Sequence, residues 1–515
     1  MGMLILAATL IPGEAPSSTA SVTPAAADAA CVAGTESDFN GDGVRDTAVA
    51  DPLATVSGLT RAGLVRVVLG GSGQSFEISQ GLPEMGVSPE ANDQFGKSLA
   101  SYDENGDGCS DLVVGVPMED VSVSGVDMPD AGMIHVIHGT PTGIGPGSTV
   151  VTWRQSDLAP ATSVEANDWF GWSLAAGKTS AGQQFLAVGV PGENVGSAVD
   201  AGLIHYVQGA TRTTASQDDP GVPGTAELND RFGYSLAASP RYLAVGAPGE
   251  AIGEEAFAGL AIVFSHTITS GVPTAIAGVD QSVDGVSGTA ETGDQLGTSL
   301  SMVAYRPSGA ASETDALLAV GVPGEDIDPD PADPDDAADA GMVHVLQVPA
   351  SGAVTQLKSV DRSVADVEGD VAAGDYFGQR VALANTAPGT VGTAATVRLA
   401  VGVPGHDTES GAEAGAVQVF PALGDPGAGD RILVRGGGVI PGDPGRRDYT
   451  GISLMATSAN LYVGVPFGKT AGESRGGVYV LPWTLVDGGA GTATTLRPGA
   501  GGIPDDGDTF GTVIR

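Results

Sequence analysis

Three short hydrophobic patterns recur along the chain in a fixed order. The first is an aspartate followed, one residue later, by an aromatic–glycine pair, with Leu296 and Thr450 in place of the aromatic in two copies: DQFG at 93–96, DWFG at 168–171, DRFG at 230–233, DQLG at 294–297, DYFG at 375–378, DYTG at 448–451 and DTFG at 508–511. The second is a run of consecutive apolar positions that stops at proline: TAVADP 47–52, LVVGVP 112–117, LAVGVP 186–191, LAVGAP 243–248, LAVGVP 318–323, LAVGVP 399–404 and LYVGVP 461–466. The third opens with a small residue and a glycine and then alternates: AGLVRVV from Ala62, AGMIHVI from Ala131, AGLIHYV from Ala201, AGLAIVF from Ala258, AGMVHVL from Ala340, AGAVQVF from Ala414 and RGGVYVL from Arg475. Each set has seven members.

Consecutive apolar positions closed by a residue without an amide proton predict a strand covered on both faces. The third motif shows a period of two, with Ile134 and Val136 flanking His135, and predicts a strand with one face buried and the other wet. A less regular fourth strand is expected after it, for example at 150–155 (VVTWRQ). Each unit then forms a four-stranded antiparallel sheet that cannot cover its own faces and must stack on its neighbours. The chain opens inside a unit, at its second motif, and ends just after an aromatic–glycine pair. Two part-units sum to one whole, so the expected fold is an all-β, seven-bladed β-propeller closed by pairing the termini, which leaves no raw strand edge. Cys31–Ser37 and Phe510–Arg515 compete for the innermost strand of the closing blade.

The composition agrees. Glycine (79) and proline (33) are abundant in 515 residues and aromatics scarce at 5%, as many short elements joined by turns require. A formal charge of −40 repels phosphate backbones and anionic lipid heads, which argues against nucleic-acid or membrane-surface partners and favours divalent cations. Residues 1–30 read as a signal peptide with a Ser/Thr/Pro/Ala segment: Met3–Leu10 is apolar but too short to span a bilayer, and Ala27-Asp28-Ala29 resembles a cleavage site. The usual basic start is missing, since no Lys or Arg precedes Arg45. Residues 31–515 are expected to form a single propeller of a secreted, extracellular or envelope protein.

Together the FG pairs, the GVP or GAP ends and two Asp/Asn/Gly loops resemble the FG-GAP repeat of integrin α-subunits and of related exported proteins of actinobacteria. The resemblance covers residues 38–515. It implies an adhesion or ligand-recognition module with calcium as cofactor and no enzymatic activity; an extracellular hydrolase or a passive envelope protein is the alternative. A monomer is expected, with an unknown protein or glycan ligand.

The two loops are DFNGDGVRD at 38–46 and DENGDGCSD at 103–111. Calcium takes six to eight oxygen ligands. Positions 1, 3, 5 and 9 supply Asp38, Asn40, Asp42 and Asp46 in one loop, and Asp103, Asn105, Asp107 and Asp111 in the other. Position 7 offers the carbonyls of Val44 and Cys109. An EF-hand would need a glutamate at position 12, where Val49 and Val114 stand; the resemblance implies instead a β-hairpin calcium loop closed by Asp at position 9. Integrins tend to carry such loops in later blades, so the role expected here is structural. Cys31 and Cys109, the two cysteines, are expected to pair in a disulfide.

Other constellations are read as architecture. GKSLA, GWSLA, GYSLA, GTSLS and GISLM echo a nucleophile elbow, yet recur after nearly every FG pair, and a catalytic serine occurs once. His135, His205 and His344 share one strand position in separate units and are expected on a solvent face. Residues 325–336 read as a long acidic loop, with Glu119, Glu193, Glu250 and Asp407 expected to project from the same rim as the partner surface.

Overall fold

The computed structural model describes residues 30–159, 162–328, 337–409, 411–471 and 474–515. The expected signal segment, except Ala30, and most of the acidic run (329–336) lie outside them. Among the described residues, seven four-stranded antiparallel sheets follow one another. In the second blade the strands run in order Ser98–Tyr102, Asp111–Val116, Met133–Ile137 and Val150–Trp153. Two small hairpins, Val121–Val123 with Val126–Met128 and Lys469–Ala471 with Ser474–Arg475, are additions to this plan.

The ring closes as expected, and the C-terminus supplies the innermost strand. Val513 pairs with Ala50 and Ile514 with Val49, while Ala48 and Arg515 exchange two backbone hydrogen bonds of 2.8 Å. Buried Asp51 accepts from the amides of Asp508 and Thr509 and from the Thr509 hydroxyl, at 2.8–2.9 Å. Fully buried Arg66 reaches from the first blade to Asp506 at 2.6 Å.

The three motifs meet at every junction between blades. The FG amide of one blade donates to the carbonyl that opens the third motif of the blade before it: Phe95 to Ala62, Phe170 to Ala131, Phe232 to Ala201 and Phe377 to Ala340, at 2.8–3.0 Å. The FG aromatic itself is at most 1% exposed in each of these. Behind it, the glycine of the GVP or GAP end touches the FG glycine of the next blade. A Cβ on Gly189 would lie 2.0 Å from the Gly233 carbonyl oxygen, and one on Gly321 would lie 2.1 Å from that of Gly378. Blade packs on blade through bare backbone, so no side chain fits there. Gly189→Ala is expected to destabilise the fold by about 2–3 kcal/mol, read as a lower denaturant midpoint; an unchanged midpoint would refute the contact. The first blade departs from the rule, since Ala50 stands at this position and its methyl faces Gly96.

The structure corrects one expectation of the alternating pattern. The third strands are buried on both faces, and His135, His205 and His344 are 0% exposed. A propeller blade lies between two neighbours, so its polar face also meets another sheet. There the His135 and His205 rings pack on Phe95 and Phe170, with centroids 5.8 and 5.4 Å apart. Burial alone pushes their pKa down, to about 4 for His135 and His344 and about 3 for His205, so they sit in the core as neutral rings.

Candidate calcium loops and recognition face

The second Asp/Asn/Gly loop joins the first strand of its blade, Ser98–Tyr102, to the second, Asp111–Val116, and the first loop leads into Thr47–Asp51, the second strand position of the first blade, so both stand on the same face of the ring. Three of their internal hydrogen bonds are shared. The position 1 carboxylate accepts from the amide at position 6 (Asp38 from Gly43, 2.8 Å; Asp103 from Gly108, 3.2 Å). Position 5 accepts from position 7 (Asp42 from Val44, 2.8 Å; Asp107 from Cys109, 2.9 Å). Position 9 accepts from position 2 (Asp46 from Phe39, 2.8 Å; Asp111 from Glu104, 2.7 Å). Gly43 and Gly108 take positive φ of 85° and 96°, which the tight bend requires.

The loops also touch each other. Ser110 N donates to the Asp38 carbonyl at 2.8 Å, and Thr140 N to that of Phe39 at 3.1 Å. Cys31 and Cys109 form a disulfide with Cα atoms 5.1 Å apart, tying the segment before the first loop to the second loop. Gly41 packs so closely on Cys31 that a Cβ there would lie 2.4 Å from its Cα.

The donor set fits a hard divalent cation. Three carboxylates and an amide oxygen converge within nine residues, and Asp103 Oδ1 is a buried acceptor with no hydrogen-bond partner. In the first loop Asp46 is pushed up to about 6, mainly by burial and against the amides of Gly70 and Phe39, with Asp38 and Asp42 adding repulsion. Around the second loop, His138 Nε2 lies 3.3 Å from Glu104 Oε2, and both stand close to Asp111. Neither His138 nor Glu104 was singled out by the sequence pattern, because His138 follows the third strand and meets the loop only through the fold.

The opposite face gathers the FG turns and the GVP ends. Here the expected rim of free carboxylates is not found: Glu119, Glu193, Glu250 and Glu325 are only 5–7% exposed. Each accepts a hydrogen bond of 2.5–2.6 Å from a buried glutamine of the preceding blade, Gln80, Gln155, Gln217 and Gln281. Asp407 alone of the named rim residues is exposed. The recurrent serines serve the junctions, as Ser98, Ser173 and Ser235 donate to the FG glycine carbonyls of the next blade at 2.5–2.7 Å.

Two features of this face offer recognition surface. Near the channel mouth Lys97 Nζ lies 4.5 Å from the Trp172 ring, which also neighbours Tyr234 at 5.4 Å and Trp169 at 5.5 Å. Burial, with Arg380 and Arg61 nearby, lowers the Lys97 pKa to about 8. Between the sixth and seventh blades opens a cavity of 1210 Å³, walled by Tyr376, Tyr449, Phe467, Arg447, Glu413 and Asp407. Tyr376 and Phe467 are 40% and 37% exposed, and Tyr449 packs edge-on against Phe467 with centroids 5.7 Å apart. Glu413 accepts from Tyr449 Oη and Arg447 Nε at 2.8 and 2.9 Å, and these bonds hold its carboxyl below the usual range.

The central channel is narrower in chemistry. Its wall is built from the first strands, with Ala100, Ala175, Ala237, Ala382 and Ala384 among the lining residues, and the Glu36–Arg515 ion pair of 2.7 Å at one end.

The family model described as FG-GAP repeat matches residues 95–137. No curated protein sequence matches the chain. Among solved structures, a putative 6-phosphogluconolactonase from Bacteroides fragilis aligns at 10% identity over 76% of this chain and 95% of that one, with a TM-score of 0.29, too low to bear on function. One repeat is matched directly, and its three motifs recur and meet between successive blades round the ring. The chain carries an FG-GAP repeat at 95–137, set in a seven-bladed β-propeller whose other blades repeat its motifs.

Proposed function

We propose that this protein is an exported, calcium-stabilised recognition propeller that holds a protein or glycan ligand on the face of its FG turns, in the manner of an adhesion module. The cavity between the sixth and seventh blades carries the reading. Half-exposed aromatic rings supply contact area at small entropic cost, and Arg447, Glu413 and Asp407 supply orienting charge around them. Calcium on the opposite face stiffens the scaffold without touching the ligand. The Cys31–Cys109 disulfide suits an oxidising compartment, and no helix among the described residues is long and apolar enough to cross a membrane.

The test is binding of the labelled propeller to a glycan array and to surface proteins of the producing cell. Tyr376→Ala/Phe467→Ala is expected to weaken capture at least tenfold, since a buried aromatic anchor contributes about 1–2 kcal/mol. Its melting midpoint should fall only slightly, because the two rings are 40% and 37% exposed. Undiminished binding by that variant would refute the assignment of the cavity.

A further inference from the structure

Thirteen residues before the aspartate of the FG motif stands Gln80, Gln155, Gln217 or Gln281 in the first four junctions, but Arg362 and Arg435 in the next two; the last copy has Thr495 there. The residue two places after each GVP or GAP proline changes in step. It is Glu119, Glu193, Glu250 and Glu325 where the partner is glutamine, and His406 and Gly468 where it is arginine; the closing junction has Ala54. Six of the seven junctions thus solve one local problem in two ways.

The arginine solution is visible directly. Arg362 and Arg435 form buried ion pairs with the FG-motif aspartates Asp375 and Asp448, all side chains 3–6% exposed. One guanidinium charge neutralises one carboxylate. At the glutamine junctions the aspartate (Asp93, Asp168, Asp230, Asp294) is equally buried, the glutamate adds a second carboxylate beside it, and the cation is gone. What remains is rich in acceptors and poor in donors. All four glutamine Oε1 atoms, and Oδ1 of Asp168 and Asp230, are buried without a hydrogen-bond partner, in side chains at most 6% exposed. Unmet buried acceptors are costly, so such a cluster is complete only with an occupant that satisfies several lone pairs together.

We propose that each of the four glutamine junctions holds a divalent cation, calcium by its preference for oxygen ligands, at the place where arginine supplies the positive charge in the later junctions. Two carboxylates and a neutral amide balance a charge of two, as one aspartate balances one guanidinium. Turning the glutamine amide by half a revolution would bring Oε1 toward the glutamate in place of Nε2. Glycine is required against the glutamine amide, since a Cβ on Gly224 or Gly288 would come within 2.4 or 2.2 Å of it. These sites lie inside the ring junctions and are separate from the two surface loops.

Counting bound metal by mass spectrometry after dialysis against millimolar calcium tests the proposal on the intact protein. The Asp42→Ala/Asp107→Ala variant, whose changes are at exposed positions, silences the loops. Four calcium ions per chain are expected to remain in it. Grafting the later solution into one junction, Gln217→Arg/Glu250→His, should remove one ion, and the same graft at Gln281/Glu325 another. A loop-silenced protein that carries no metal overturns the junction sites, whatever the wild type binds in its loops. A count that stays at four after grafting overturns them equally. Four ions in both wild type and loop variant would instead discard the loops and leave the junctions standing.

Discussion

Deleting Phe510–Arg515 is expected to open the ring and leave a protein that no longer melts in one cooperative transition. The six residues form the innermost strand of the first blade and the wedge behind it. Phe510 is 0% exposed, and removing a buried phenylalanine side chain typically costs about 3–5 kcal/mol. The backbone bonds of Ala48 with Arg515 and of Gly511 with Ala50 go with it. At about 1 kcal/mol each, they bring the loss to the scale of a whole domain's stability, about 5–15 kcal/mol. The exposed edge at Thr47–Asp51 would then invite pairing with other chains. A synthetic peptide spanning 508–515, added in trans, should restore the melt by completing the blade as an added strand. A truncated protein with an undisturbed midpoint would show that the ring is not held shut there.

How much of this was legible in the sequence follows from what each pattern reports. Strand ends, blade number and closure were readable because they rest on backbone chemistry that recurs: proline ends a ladder, and glycine marks where blades touch. The pairing of Cys31 with Cys109 was likewise accessible, since the two loops stand in neighbouring blades. The alternation around His135 misled, because a period of two separates the faces of a strand but not what covers each face. In a stacked ring both faces are inside. The glutamates after the GVP ends looked like a solvated rim for a related reason: nothing local to Glu193 reveals Gln155 in the preceding blade. The repeat did hold that information, in the paired exchange of Gln/Glu for Arg and a non-acidic residue. The aromatic cavity was out of reach, since Tyr376, Tyr449 and Phe467 come from different motifs whose rings converge only across a junction.

Removing calcium is the second large expected effect. In each loop three carboxylates share a few ångströms of surface, and the loops press on one another through Ser110 and the Asp38 carbonyl. Without a cation their repulsion acts on the hinge between the first two blades, beside the ring closure. A ligand held at a hundred times its dissociation constant stabilises by about 2.7 kcal/mol, so two loops together should contribute roughly 5 kcal/mol. For a protein of this length that corresponds to a fall of several degrees in the thermal midpoint on chelation. The share belonging to the loops is the part of the chelator shift that disappears in Asp42→Ala/Asp107→Ala. The disulfide should carry a comparable weight. Its cysteines are 78 residues apart, and closing a loop of that length in the unfolded chain is worth about 4–5 kcal/mol in the chain-entropy model. Cys31→Ser/Cys109→Ser is therefore expected to lower the midpoint and to steepen the dependence on calcium, because the ion must then order the second loop unaided. If chelation leaves the wild-type midpoint where it was, the loops are ordinary turns and the carboxylates merely solvated. If the shift is equally large in the loop variant, the stabilising ions sit elsewhere in the ring.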